Sequence, residues 1–209
     1  MSRRAIAAFD IGIKNLAVCI LTVGPDEDPA TEIVVWKVIS LAGPKEKIPN
    51  IQELSGRLFA ALDELITEFE GTSAPVPSLN SVIIENQPSR LNGAMKSIQM
   101  MVYSYFQLRR HWEGEECNTY MVSASQKLQL HTHEIPSVPT GKAGYALNKW
   151  KAIQYGDQYI KECPILVNFV RKHKKKDDLF DSALHAVSWL KKQGCRIETL
   201  RAAEGAVLN

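Results

Sequence analysis

Apolar residues cluster first in short unbroken runs and later at helical spacing, and this switch of period sets the predicted element order. Ala5 to Ile11 and Leu16 to Val23 are apolar and β-branched, interrupted by Gly12, Lys14 and Asn15, and read as two strands joined by a tight turn. Gly24 to Pro29 is a polar loop, and Glu32 to Ser40 reads as a third strand. Ile51, Leu54, Leu58, Leu62, Leu65 and Phe69 then recur every three or four residues, which predicts an amphipathic helix closed by the Gly/Ser/Pro segment from Gly71 to Asn80. Ser81 to Glu85 is a short strand ending in a carboxylate. Next comes a helix from Gly93 to Trp112, with Ile98, Met101, Val102, Tyr105 and Leu108 on one face. Thr119 to Ala124 is a fifth strand, and His131 to Lys142, with Pro136, Pro139 and Gly141, is a loop. A helix from Tyr145 to Glu162 ends at Pro164. A last helix carries Phe180, Ala183, Leu184, Val187 and Leu190. The order predicts an α/β domain: a five-stranded mixed sheet with helices on both faces.

At 209 residues the chain is long enough for one domain with a full core, and residues 1–209 are read as a single domain. No apolar run reaches the roughly 18 residues of a spanning helix. The N-terminus passes from Ser2-Arg3-Arg4 directly into a strand, so neither signal peptide nor transit segment is expected and the location is expected to be intracellular. Cys19, Cys117, Cys163 and Cys195 lie far apart without a CxxC pair, which favours free thiols over zinc or disulfides.

The net charge of +2 hides a segregation. Gly141 to Lys176 holds nine Lys/Arg against two acids, leaving 16 basic and 21 acidic residues elsewhere. Asn86 to Trp112 has no acid but carries Arg90, Lys96, Arg109 and Arg110. One such run is ordinarily a solvated face. Two of them beside acidic motifs point to a polyanionic partner, namely nucleic acid.

Three acidic positions sit where charge is costly. Asp10 ends the first strand, Glu85 ends the fourth, and Asp178 and Asp181 open the last helix at a spacing that puts both on one face. Each has a plain alternative. Asp177 or Asp178 can cap the helix, Asp10 can support the Gly12 turn, and Glu85 can pair with an arginine. His185, four residues past Asp181, extends the same face and taken alone is a packed histidine. As a set, these carboxylates would repel one another unless divalent cations join them. An all-oxygen donor set selects Mg²⁺ or Mn²⁺ over Zn²⁺. Two such ions about 4 Å apart activate water and stabilise a leaving oxygen in phosphodiester cleavage.

Asp10-Ile-Gly-Ile-Lys-Asn-Leu-Ala17, Ile83-Ile-Glu-Asn-Gln-Pro88 and Lys175-Lys-Asp-Asp-Leu-Phe-Asp-Ser-Ala183 resemble the motifs of the RuvC-like Holliday junction resolvases. The resemblance is to the poxvirus-type branch, with fungal mitochondrial enzymes as near relatives, and Ile13 and Leu16 depart from the poxvirus pattern. It implies an RNase H-like fold, a homodimer, and paired symmetric nicking of four-way or other branched DNA. It further implies two Mg²⁺ per active site, with Mn²⁺ able to substitute, held by Asp10, Glu85, Asp178 and Asp181. A lysine on the helix before the last acidic motif, Lys149 or Lys151, is implied to act at the scissile phosphate. Lys14, Asn86, Gln87, Arg90, Lys142, Lys174, Lys175 and Lys176 are the expected DNA contacts. The face with Ile98, Met100, Met101, Val102 and Tyr105 is either part of the dimer contact or an ordinary core helix. A viral source would place the enzyme at cytoplasmic replication sites, and a fungal one in mitochondria. Two other functions remain open: another RNase H-like nuclease acting on branched DNA or RNA–DNA hybrid, and a non-catalytic junction-binding protein. An actin-like ATPase is disfavoured, since a second Asp-x-Gly phosphate loop and a Gly-rich adenosine motif are both missing.

Overall fold

The computed structural model describes residues 3–24, 30–72, 76–88, 93–114 and 116–209, save the side chain of Glu113. Residues 25–29 of the predicted loop, together with Ser89 and the expected DNA contact Arg90, lie outside the described residues. The elements in chain order are β1 (Arg4–Asp10), β2 (Leu16–Val23), β3 (Thr31–Ile39), α1 (Ile51–Glu70), β4 (Leu79–Glu85), α2 (Gly93–Glu113) and β5 (Asn118–Val122). A 3-10 turn (Ala124–Leu128), α3 (Gly144–Ile160), α4 (Pro164–Lys172), α5 (Lys176–Lys192) and β6 (Arg201–Leu208) complete the chain.

The strands form one mixed sheet in the order β5-β4-β1-β2-β3-β6. β2 runs antiparallel to both β1 and β3, while the β1–β4, β4–β5 and β3–β6 pairs are parallel. Among the described residues the sheet thus has six strands, not the five expected. β6 escapes sequence reading because Arg201-Ala-Ala-Glu-Gly-Ala-Val-Leu208 is Ala- and Gly-rich with little β propensity. Its strand state comes from pairing with the edge of β3. α4 also goes unpredicted: Pro164 is not only a stop after α3 but occupies the first turn of a new helix, where a missing N–H costs nothing. β5 ends two residues earlier than expected, because the Ser123 side chain accepts from Ser125 N and starts the 3-10 turn.

Period two divides the central strands between two cores. Ala5, Ala7 and Phe9 of β1 join Val82 and Ile84 of β4 in a layer with α1 and α2. Ile6, Ala8 and Ile83 face α3, α4 and α5. The expectation of helices on both faces therefore holds. α5 packs across β1 and β2 and is almost wholly buried, with Leu179, Phe180, Ala183, Leu184, Ala186, Val187 and Leu190 in the core. Trp36 of β3 ties the sheet to this helix by donating Nε1–H to the Leu179 carbonyl at 3.0 Å.

α3 approaches α5 closely at Gly156. A Cβ there would stand 2.1 Å from Cδ1 of Phe180, a buried ring packed against Trp36. Gly156→Ala is expected to lose about 2 kcal/mol despite its better helix propensity, because the ring has nowhere to move. The measurement is the shift in thermal midpoint by calorimetry.

Candidate active site

Strand register fixes the first two carboxylates. Phe9 pairs with Ile84 across parallel β1 and β4, so the next residues, Asp10 and Glu85, end adjacent strands side by side. Alternation places both on the face that α5 covers, since Ile6 and Ala8 precede Asp10 and Ile83 precedes Glu85 on that side. Both lie at the carboxyl end of the parallel strands, where open α/β sheets place their ligand sites. The turn after Asp10 is tight: a Cβ on Gly12 would meet the Asn15 carbonyl oxygen at 2.4 Å.

α5 brings the opposing groups. Asp178, Asp181, His185 and Ser188 recur every three or four residues and form one stripe. His185, fully enclosed, has Nε2 at 2.9 Å from Glu85 Oε2; the carboxylate can only accept, so this nitrogen donates. The helix cap is Lys175 and makes no side-chain cap bond, so neither Asp177 nor Asp178 is the capping residue. Both acids do sit in the first turn, where the helix dipole favours negative charge.

At the centre is a residue that sequence reasoning did not single out. Lys127, on the 3-10 turn after β5, donates from Nζ to Glu85 Oε2 at 3.1 Å and to Asp181 Oδ2 at 2.6 Å. The three side chains are 12–13% exposed. The signal lay in topology: β5 is the third parallel strand in a row, and Lys127 follows its carboxyl end as Asp10 and Glu85 end theirs. That adjacency cannot be seen before the strand order is known. Lys149 instead pairs with Asp177 and lies over the Tyr145 ring at 5.1 Å. Lys151 is half-buried on α3.

Charge is distributed unevenly across the cluster. Burial, then repulsion from Glu85 and Asp181, raises the Asp10 carboxyl well above its ordinary value despite the pull of Lys127. Asp10 and Glu85 share a hydrogen bond that pushes the first upward and the second downward. For Glu85 burial acts upward, but the His185 hydrogen bond and the Lys127 charge prevail and hold it low. Burial opposes the charge on Lys127, yet Asp10, Asp181 and Glu85 together keep its ammonium above the usual lysine range. Asp181 and Asp178 are both raised, in each case chiefly by burial.

Not all the expected geometry is present. Among the described residues no group of three His, Cys, Asp or Glu side chains forms a ready-made metal cage. The anticipated convergence of four carboxylates is instead a set of three around an ammonium, with Asp178 one helical turn before Asp181. The donor chemistry still fits a hard divalent cation. Every carboxylate oxygen is a hard ligand, and Asp178 Oδ2 and Asp181 Oδ1 are buried with no hydrogen-bond partner. A cation bound there would satisfy oxygens that protein groups leave unpaired.

The expected DNA contacts fall into two groups. Lys14, Asn86, Lys142, Lys174 and Lys175 are exposed, and Lys176 is half-buried at the start of α5. Lys14 donates to the Pro44 carbonyl and Asn86 accepts from Lys96. Gln87 is different. It is buried, its Nε2 lies 3.3 Å from Glu85 Oε1, and its backbone N–H donates to Gln99 Oε1, so it orients a carboxylate and has no open surface to offer a phosphate.

No protein-family model matches the chain. An uncharacterized protein of Acanthamoeba polyphaga mimivirus is 30% identical over 154 residues, which are 69% of this chain and 35% of that protein. The chain thus spans about a third of the length of this relative. Among solved structures, the yeast mitochondrial Holliday junction resolvase superposes with a TM-score of 0.56 at 21% identity, over 90% of this chain and 78% of that one. The fowlpox virus Holliday junction resolvase, also solved with its substrate junction DNA, gives 0.56 at 15% identity over 90% and 99%. Thermus thermophilus RuvC gives 0.53 at 17% identity over 91% and 97%. The fold is therefore RNase H-like. Within that class its fold is similar to those of the yeast mitochondrial, fowlpox virus and Thermus thermophilus structures.

Proposed function

We propose that this protein is a divalent-cation-dependent DNA endonuclease that resolves four-way junctions by paired nicks. The observation that carries the reading is the meeting of Asp10 and Glu85, from adjacent strand ends, with Asp181 of α5 in one half-enclosed cluster. Nothing in the packing of the sheet requires three acids there. Buried acids with shifted pKa values, grouped at a cleft, are what catalytic sites use. The likeness in fold to junction resolvases and the three sequence motifs agree with it.

Asp10, Glu85, Asp178 and Asp181 would hold the ions, two per site, with Mg²⁺ or Mn²⁺ suited to the oxygen donors. Bound there, the metal would supply an activated water and charge stabilisation at the leaving oxygen. The protein's part is orientation. His185 and Gln87 fix the Glu85 carboxylate from two sides. Lys127 sets a positive charge among the acids, where it can meet a scissile phosphate. The exposed Lys14, Asn86, Lys142, Lys174 and Lys175 would hold backbone phosphates without reading bases.

A homodimer would put two such sites on opposing strands. Ile98 and Val102 of α2 are consumed by the core, so a surface for self-association would be the outer side of that helix, where Met100, Leu108 and Trp112 are exposed, together with Phe59 of α1.

The test is cleavage of a synthetic four-way junction, with linear duplex and RNA–DNA hybrid of the same sequence as controls. Junction cutting in Mg²⁺ that stops on chelation is expected. Equal cutting of junction and duplex would remove the junction selectivity, and no cutting of any substrate would remove the nuclease. In a separate binding measurement, Mg²⁺ or Mn²⁺ is expected to raise the thermal midpoint, since a ligand of the native state stabilises it by mass action.

A further inference from the structure

Lys127 is the central charge of the cluster, yet it stands on a five-residue 3-10 turn, a helix type with poorer hydrogen-bond geometry than an α-helix. The segment just beyond this turn is more elaborate than a connection requires. The carbonyls of Gln129 and Leu130 accept from Ser188 Oγ and Lys191 Nζ of α5, each at 3.2 Å. Leu130 has φ 63°, in the left-handed region that a branched side chain rarely enters. That reversal folds His131 back beneath the turn. Its Nε2 lies 2.5 Å from the Lys127 carbonyl oxygen, and its Nδ1 lies 2.9 Å from the Tyr159 hydroxyl. The carbonyl can only accept. Nε2 therefore carries the proton and Nδ1 accepts from Tyr159, which leaves a neutral ring with one tautomer. The ring packs against Tyr155 at 4.6 Å and meets Tyr159 edge-on at 5.5 Å, and burial pulls its pKa down to about 4.

We propose that His131, oriented by Tyr159, is a positioning residue that fixes the backbone of Lys127 and so aims its ammonium between Glu85 and Asp181. The proposal rests on the nuclease reading for its catalytic meaning, but the placement of Lys127 can be tested without it. The chain of contacts is continuous: α3 holds the imidazole, the imidazole holds the turn, and the turn delivers the lysine to acids from β4 and α5.

Two substitutions separate hydrogen bonding from packing. His131→Phe keeps a ring against the tyrosines but has no donor for the Lys127 carbonyl. His131→Gln retains an N–H at nearly the Nε2 position. In single-turnover junction cleavage, His131→Phe is expected to slow the chemical step by about 10- to 100-fold, the range for a small misplacement of a charged group. Junction affinity is expected to stay within about two-fold, which marks a loss felt at the reaction and not in binding. His131→Gln is expected to recover most of the rate. Tyr159→Phe, a milder change should His131→Phe fold poorly, is expected to act in the same direction by releasing the tautomer.

The second readout is the ¹⁵N signal of the Lys127 side chain in cation-free protein, identified by its disappearance in Lys127→Arg. It is expected to move toward the position of exposed lysines in His131→Phe and to hold in His131→Gln. A wild-type rate in His131→Phe, with the lysine signal unmoved, would overturn the proposal. So would a His131→Gln variant as slow as His131→Phe, since packing alone would then explain the effect. If the unaltered protein cuts no substrate, the nuclease reading is lost, and the lysine signal still decides whether His131 positions Lys127.

Discussion

Asp10→Asn is expected to leave the protein unable to cut a junction and, at the same time, to raise its thermal midpoint. The two effects have one origin. Asp10 is buried beside Glu85 and Asp181, and its carboxyl is held well above the ordinary range by that burial and by those neighbours. For an acid whose native pKa is raised, the native state binds more protons than the unfolded chain at pH values between the two. Stability falls as pH rises through that window, and above it the group is a net cost. Asparagine keeps the shape and a donor toward Glu85 but has no charge to lose. It should stabilise by about 1 kcal/mol or more at neutral pH, one pKa unit being worth about 1.4 kcal/mol. The midpoint should rise by at least about 2–4 °C. Cleavage should fall by about 10²–10³-fold or more, the scale of removing one electrostatic contact from a transition state. Calorimetry in cation-free buffer and junction cleavage in Mg²⁺ measure the two halves. A variant both less stable and fully active would contradict the picture on each count.

Lys127→Met should act in the opposite sense on stability. The substitution keeps the length of the side chain and removes the ammonium that lies 3.1 Å from Glu85 and 2.6 Å from Asp181. Deleting one partner of a buried ion pair leaves the others uncompensated, at a cost of about 3 kcal/mol or more. For a protein of this size that is a fall of roughly 6–12 °C in the midpoint. The native pKa of Lys127 is raised, so its contribution is fully present below the unfolded lysine value of about 10.4 and disappears as pH rises through the native one. At the acidic end the penalty should shrink again, because Asp10 and Asp181, both raised, take up protons and no longer need a partner. The difference between the two proteins should therefore be largest near neutral pH. Adding Mg²⁺ should narrow it, because bound cation would supply the charge that the methionine lacks. A constant difference across the whole pH range would show that packing, and not charge, is what Lys127 contributes.

These two residues also mark how far the sequence could be read. Asp10 was legible because a carboxylate closing an apolar strand is conspicuous in one dimension, and Glu85 for the same reason. Asp178 and Asp181 were legible because helical spacing announces a shared face. Lys127 carries no such local mark. It sits in a short polar turn, and its importance comes from β5 lying beside β4, a fact of strand order alone. Gln87 shows the converse error of reach. Its place two residues after Glu85 suggested an exposed DNA contact, but the chain turns inward there and Gln99 of α2 captures its backbone N–H.

Local sequence was enough to locate the five main strands, the long amphipathic helices and the acids that end or open them. Those features follow from local period and from the cost of burying charge, both of which act over a few neighbouring residues. It took the assembled fold to make Ala- and Gly-rich β6 a strand, to reveal α4, and to set Lys127 as the cation within the acids. Each of these depends on which distant segments come to lie side by side, and that juxtaposition is set by the packing of the whole sheet.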